Sequence, residues 1–267
     1  MKKYQIEMLT QILQQYKNLT MNSEKLFYYA YAKFNVQIKG ILKENEFIDK
    51  TEAGIISFIN NATDMKCVLT YDELREFLSM KRADKSTLKG VVEPLISSEN
   101  EIENEIENEI EKQIKRENII KITDKDGVKR CFSIYKNYAF DGANRKLEIT
   151  FNEKVIEMFL LIPNEEYKYL GGYSIINTSD LKHLNSTYEL KLYLYAISIL
   201  HGNTGIITKT IENLRNILAE NKKLHNDNFV SRYIKKPCEL INKNDNLSIT
   251  VHITRSNDNI TLRVYKK

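Results

Sequence analysis

Two stretches far apart in the chain carry the same capped-helix signature, and this duplication limits the available folds more than any other feature. Thr70-Tyr-Asp-Glu-Leu74-Arg75-Glu-Phe-Leu78 lines up with Thr210-Ile-Glu-Asn-Leu214-Arg215-Asn-Ile-Leu218. Thr70 and Glu73 have the spacing of a capping box, with acidic Asp72 and Glu73 in the first turn. Leu74, Phe77 and Leu78 then share one helical face. Before Thr70 runs a short strand-like stretch, Lys66-Cys67-Val68-Leu69. After Leu78 comes a polar turn, Lys81-Arg82-Ala83-Asp84-Lys85, and a second helix from about Ser86 to Ile96. Its apolar positions are Leu88, Val91, Val92 and Leu95.

The surroundings of each copy repeat in the same order. The first 60 residues read as helices, since Leu9, Ile12, Leu13 and Tyr16, and later Ile55, Ile56, Phe58 and Ile59, keep helical spacing. Beyond residue 116, Ile119–Ile122 and Arg130–Ile134 flank Asp126-Gly127, a hairpin signal, and a strand over Lys146–Phe151 follows Asp141-Gly142. The second copy starts with a helical block over Thr178–Leu200. It continues with Gly205-Ile206-Ile207, a helix around Thr210–Ala219 and another over Asn226–Asn242. Terminal strands Leu247–Thr254 and Ile260–Tyr265 are joined by Arg255-Ser256-Asn257-Asp258-Asn259. Each second helix also carries a proline, Pro94 and Pro237.

Helix, short strand, helix, turn, helix and two-strand hairpin is the order of the winged helix. The expected fold is therefore α+β: two tandem winged-helix domains with small antiparallel β-hairpin wings. Residues 1–160 form the first, with N-terminal helices and an insertion, and residues 161–267 the second. The insertion, residues 99–116, repeats Glu-Asn-Glu-Ile, and its isoleucines Ile102, Ile106, Ile110 and Ile114 make a slanting helical stripe. A partner-docking helix and a solvated repeat expansion both fit, and the second is the favoured reading.

Charge sharpens this picture. Net charge is +4, yet residues 99–111 hold seven glutamates and no base, which leaves +11 for the rest of the chain. Residues 181–267 carry fourteen Lys or Arg against seven Asp or Glu. A basic C-terminal third favours a polyanionic partner, and the acidic insertion should then face away from DNA phosphates. Double-stranded DNA is the expected partner.

Candidate contacts follow from the helix faces. With Arg232 as reference and about 100° per residue, Asn228, Lys235 and Lys236 fall within roughly 60° of it. Ser231 lies beside them. Phe229, Tyr233, Pro237 and Leu240 fall on the far side and should pack. Asn reads adenine and Arg reads guanine bidentately, while Lys neutralises phosphate. Arg255, with Asn257, marks a wing tip able to reach a minor groove or phosphates. In the first copy Lys81, Arg82, Lys85, Ser86, Thr87 and Lys89 surround the start of the third helix, where helix-start amides would add to phosphate binding.

The C-terminal motifs resemble those of iteron-binding replication initiators of theta-replicating plasmids. In that family a leucine precedes Ser-x-Tyr-Ala-x-Arg-Leu-Tyr; here the stretch reads Leu184-Asn-Ser186-Thr-Tyr188-Glu189-Leu-Lys191-Leu192-Tyr193. Lys191 replaces the family arginine, and by this resemblance is a further DNA-binding candidate. Phe229-Val-Ser-Arg232-Tyr-Ile234-Lys235-Lys236-Pro237-Cys-Glu-Leu-Ile241-Asn242 is similar to the family's recognition helix, with the proline displaced by one position. Asp245-Asn-Leu247 matches the Thr-Asp-Leu that leads into the wing. The resemblance implies a bacterial, cytoplasmic, plasmid-associated protein that binds origin repeats as a monomer through both winged helices. It also implies recruitment of a host initiator and helicase, and a homodimer through the N-terminal unit that represses its own gene and so shapes copy control.

Other classes find less support. His183, His201, His225 and His252 are isolated, without a paired-histidine metal motif. Gly202-Asn-Thr-Gly205 lacks the lysine of a phosphate-binding loop. Tyr188, Tyr193 and Tyr195 at helical spacing should pack the core. No catalysis, cofactor or metal is expected. The three cysteines, Cys67, Cys131 and Cys238, suit reduced packing residues. No apolar run suggests export or a membrane span. The main rival is a winged-helix transcription regulator of a phage or mobile element without a replication role. A third class, a protein-interaction module using the Glu/Ile helix, would bind no DNA at all.

Overall fold

A computed structural model describes residues 5–9, 13, 19–44, 54, 57, 66–81, 83–93, 119–123, 129–153, 155–156, 173–219 and 224–267. The chain divides into two compact units, Met1–Ile6 with Lys17–Leu170 and Glu7–Tyr16 with Gly171–Lys267. The expected boundary after residue 160 and the 99–116 insertion lie outside the described residues. Both units mix helices with small antiparallel sheets, so the chain is α+β.

The N-terminal stretch brings a correction. Leu9 lies in a strand, β1 (Gln5–Leu9), and not in a helix. β1 pairs with β7 (Tyr173–Asn177). Ladder hydrogen bonds decide the state of so short a segment, and helical spacing cannot register them. Leu13 is helical and buried, while Ile12, Tyr16, Ile55, Ile56, Phe58 and Ile59 fall outside the described residues.

In the first unit, α1 (Met21–Glu44) is buried almost all round, from Leu26 through Ala32. β2 (Lys66–Thr70) runs into α2 (Tyr71–Phe77), capped as expected: Thr70 Oγ1 accepts from the Glu73 amide at 3.2 Å and Glu73 Oε2 from the Thr70 amide at 3.4 Å. Leu74, Phe77 and Leu78 are buried. The next helix, α3 (Lys85–Val92), is capped by Asp84 and buries Leu88, Val91 and Val92. Pro94 and Leu95 lie outside the described residues. β3 (Ile119–Thr123) and β4 (Lys129–Ser133) pair as the hairpin signal predicts. The wing-like hairpin of the unit is a different one, β5 (Tyr135–Asp141) with β6 (Lys146–Phe151), in a sheet of order β2-β6-β5. Sequence patterning misses β5 because it is exposed along one side and alternates poorly.

In the second unit the block over Thr178–Leu200 is two helices, α4 (Thr178–Lys182) and α5 (Thr187–Ser198). Ser186 ends the interruption by capping α5, its Oγ accepting from the Glu189 amide at 3.2 Å. β8 (Thr204–Thr210) follows. Gly205 is required there because a Cβ would overlap the backbone carbonyl of Ile199. α6 (Ile211–Leu218) is capped by Thr210, the counterpart of Thr70, again at 3.2 Å. A long helical run then comprises α7 (Asn226–Phe229), a π-helical segment (Val230–Lys235) and α8 (Lys236–Lys243). β9 (Ile249–Ser256) and β10 (Asn259–Lys266) close a sheet of order β8-β10-β9. Val251, Ile260, Leu262 and Val264 form its inner face.

Both units therefore share strand, helix, helix and hairpin, with the same sheet order. One further detail repeats. The first amide of the helix after the capping threonine donates to the hairpin turn, Tyr71 to the Arg145 carbonyl at 2.9 Å and Ile211 to the Asp258 carbonyl at 2.8 Å. Each turn holds one residue in the left-handed region, Arg145 (φ 51°) and Asn257 (φ 53°).

Cys67 and Cys238 pack. Burial pushes the Cys67 thiol up to about 12 and the Cys238 thiol to about 11. Among the described residues no helix is long and apolar enough to cross a membrane.

Candidate nucleic-acid interface

The long helix of the second unit has a regular section pattern. Phe229, Val230, Tyr233, Ile234, Pro237, Cys238 and Ile241 are buried, and Asp227, Asn228, Ser231, Arg232, Lys235, Lys236, Glu239 and Leu240 are exposed. Two in and two out is a period of four, longer than the α-helical 3.6. A straight α-helix would rotate its buried stripe by about 120° over these twelve steps. The π-helical turn supplies the missing residue, and the Lys236 amide donates back to the Ser231 carbonyl, five residues away.

Pro237 gives the physical reason. Proline offers no amide, and in an α-helix its ring would press on the carbonyl of Tyr233. A widened turn just before it relieves that clash. One expectation fails as a result: Leu240, assigned to the packed side by a uniform wheel, is 40% exposed. Five candidate residues, Asn228, Ser231, Arg232, Lys235 and Lys236, do share the outward stripe.

Contacts behind this stripe hold it in place. Asn242 pairs with Val251 in both directions, donating from Nδ2 to its carbonyl at 2.7 Å and accepting from its amide at 2.8 Å. Cys238 Sγ donates to the same carbonyl at 2.7 Å. Phe229 stacks on Tyr233 with centroids 5.3 Å apart, and the Arg215 guanidinium lies over Phe229.

The hairpin tip meets the start of the helix. Arg255 Nη1 donates to Asp227 Oδ1 at 2.5 Å, and its Nε to the Asn257 carbonyl at 3.1 Å. Asn226 Nδ2 donates to Asp258 Oδ1 at 3.4 Å, and Asn226 Oδ1 accepts from Arg215 Nη2 at 2.9 Å. Arg255 and Asn257 thus sit beside the outward stripe, with Asp227 between.

Lys191 stands apart. It is only 8% exposed, packed within α5, so its ammonium is not displayed like those of Lys235 and Lys236. The motif that contains it is largely structural. Ser186 caps the helix, Glu189 accepts from the Asn185 amide, and Tyr193 donates to Asp180 Oδ2 at 2.7 Å. Asp180, 3% exposed, also accepts from the Ser248 amide at 2.9 Å and from the Ser248 hydroxyl. Burial, then the Asp180 charge, raises the Tyr193 hydroxyl well above its ordinary pKa.

In the first unit Lys81, Lys85, Ser86, Thr87 and Lys89 are exposed around the start of α3; Arg82 lies outside the described residues. One of the helix-start amides is already taken there. Asp84 Oδ1 takes the Thr87 amide and the Thr87 hydroxyl, both at 2.8 Å, and its charge opposes a phosphate. Lys89 pairs with Glu93 at 3.3 Å. Among the described residues no group of three or more His, Cys, Asp or Glu is placed to hold a metal ion.

These features define an α+β protein of two units, each a strand, two helices and a hairpin, one of them with an exposed cationic helix face. The chain is similar in fold to a solved structure described as the Pi initiator protein in complex with iteron DNA. That similarity has a TM-score of 0.57 at 13% identity and covers 99% of this chain and 97% of the other. No protein-family model and no curated protein matches the sequence.

Proposed function

We propose that the chain is a non-enzymatic plasmid replication initiator, made of two winged-helix units, that binds double-stranded DNA repeats of the iteron type. The observation that carries this reading is the outward stripe Asn228, Ser231, Arg232, Lys235 and Lys236. It lies on the second helix of a strand-helix-helix-hairpin unit, which is where a winged helix reads the major groove. Arg232 and Asn228 have the donors and acceptors for base edges, and Lys235 and Lys236 suit phosphates. The full-length similarity to an initiator solved with iteron DNA supports the replication role over DNA binding in general. In this reading the chain opens an adjacent A·T-rich tract, recruits a host initiator and helicase, and represses its own gene as a dimer.

The test is binding to the DNA that flanks the gene. Nanomolar-range retention of a fragment with tandem repeats, lost in an Arg232→Ala/Lys235→Ala chain that still melts cooperatively, is the expected result. Absence of any shift on random duplex at low salt would remove DNA binding altogether. Binding confined to a single palindrome would leave a transcription regulator instead.

A further inference from the structure

The wing arginine is already occupied. Arg255 is the cation nearest the hairpin tip, and Asp227 holds its guanidinium at 2.5 Å while the Asn257 carbonyl takes Nε. The turn that carries it is itself fixed, through the Ile211 amide to the Asp258 carbonyl and the Asn226 amide group to the Asp258 carboxylate. Asp227 is therefore placed where a DNA phosphate would sit against the wing. It is the first acidic residue of the outward stripe, immediately beside Asn228.

We infer that Asp227 is a specificity-determining residue: it acts as an internal stand-in for phosphate that keeps Arg255 off non-specific DNA. This rests on the DNA-binding reading above. The Asp227 side chain is 67% exposed, so the pair is solvated and easily exchanged. A phosphate presented in the right register displaces the carboxylate at little cost. A phosphate arriving out of register meets a neutralised arginine and an extra negative charge. Hydrogen bonding and charge from Arg255 hold the Asp227 carboxyl below its ordinary range, so the stand-in stays ionised. The first unit shows that pinning a hairpin-turn arginine does not need this position. Its Arg145 pairs with Asp72 of α2 at 3.6 Å and lies over Tyr71.

The experiment is a double-mutant cycle on the full chain with Asp227→Asn, Arg255→Ala and both. Two probes are used, a random-sequence duplex and a duplex enriched by the wild-type chain from a random pool, each titrated across salt. Expected for Asp227→Asn is several-fold tighter binding to random duplex, a log-log salt slope steeper by about one phosphate contact, and little change on the enriched duplex. In the Arg255→Ala background the same substitution should change neither. Asp227→Ser, which also removes the charge, should repeat the result if the asparagine variant melts differently from wild type. An unchanged random-duplex affinity and slope in Asp227→Asn overturns the inference while leaving DNA binding intact. Equal tightening with and without Arg255 reduces the effect to generic charge removal and also overturns it. If the wild-type chain binds neither probe, the DNA-binding reading falls first and the inference with it.

Discussion

The two units use one scaffold to different ends. Each has a capping threonine, a helix whose first amide is tied to a hairpin turn, and a carboxylate that accepts a tyrosine hydroxyl. In the first unit Glu73 takes Tyr29 at 2.6 Å and Lys33 at 2.8 Å; in the second Asp180 takes Tyr193 and two groups of Ser248. Divergence lies in the second helix. α3 starts at an acidic cap, and one of its lysines is paired with Glu93. The helix of the second unit widens into a π turn and keeps two residues of every four turned outward. A shared framework is thus kept by caps and hub carboxylates, and an exposed cationic face is added by the helix between them.

The largest effect should separate the two hubs. Asp180 is buried and accepts from Tyr193, Ser179 and two groups of Ser248, so Asp180→Ala leaves Tyr193 and Ser248 unpaired and should cost about 3 kcal/mol in denaturant unfolding. Glu73 is partly exposed and Lys33 can turn to water, but the buried Tyr29 would lose its acceptor. Glu73→Ala should cost about 2 kcal/mol, through the lost cap and the unpaired Tyr29 hydroxyl. Equal losses would mean that the hubs are equivalent and that burial is not what distinguishes them.

Next in size is the contrast between interface helices. Arg232→Ala/Lys235→Ala should weaken binding to an enriched duplex on the order of a hundredfold, as expected for one base-reading pair and one phosphate contact. Lys85→Ala/Lys89→Ala in the first unit should weaken it only about fivefold, through lost counterion release. Fluorescence anisotropy on both variants checks this. A first-unit loss as large as the second would show that α3 reads bases too.

Smaller still, Thr70→Ala and Thr210→Ala should each cost about 1 kcal/mol, because each removes one helix-capping bond of 3.2 Å. Matching values in chemical denaturation would support the equivalence of the two starts. A gap well beyond the capping bond would tie one of them to a further role.

What the residues made legible, and what they did not, follows the range of the interactions involved. Thr70 and Thr210 could be placed because a cap is decided within four residues. Strand β10 could be placed because its alternation is local, and the stripe from Asn228 to Lys236 because it spans about two turns. β1 escaped because a partner at Tyr173–Asn177 defines it. The motif marks Lys191 as a contact, yet its place depends on what packs around α5, which no local pattern contains. The Arg255 to Asp227 pair joins residues 28 positions apart and has no periodicity to announce it. Leu240 departs from its helical wheel for a different reason, a change of helical pitch inside one element.

That change of pitch is itself open to test, and it gives the finest division between the two units. Pro237 is the residue that a uniform α-helix could not accept, and the π turn sits just before it. Pro237→Ala restores an amide able to reach the Tyr233 carbonyl, so the turn is free to close to 3.6 residues. From Arg232 to Leu240 that closure would rotate the later part of the face by about 80° and carry Leu240 toward the core. The expected outcome is a chain at least as stable as wild type that binds an enriched duplex several-fold more weakly. A cysteine placed at position 240 should at the same time become slower to label. Unchanged binding and labelling would mean that the packing of Tyr233, Ile234 and Cys238 holds the π turn without help from the proline. The second unit's face would then owe its four-residue period to its core and not to its backbone chemistry.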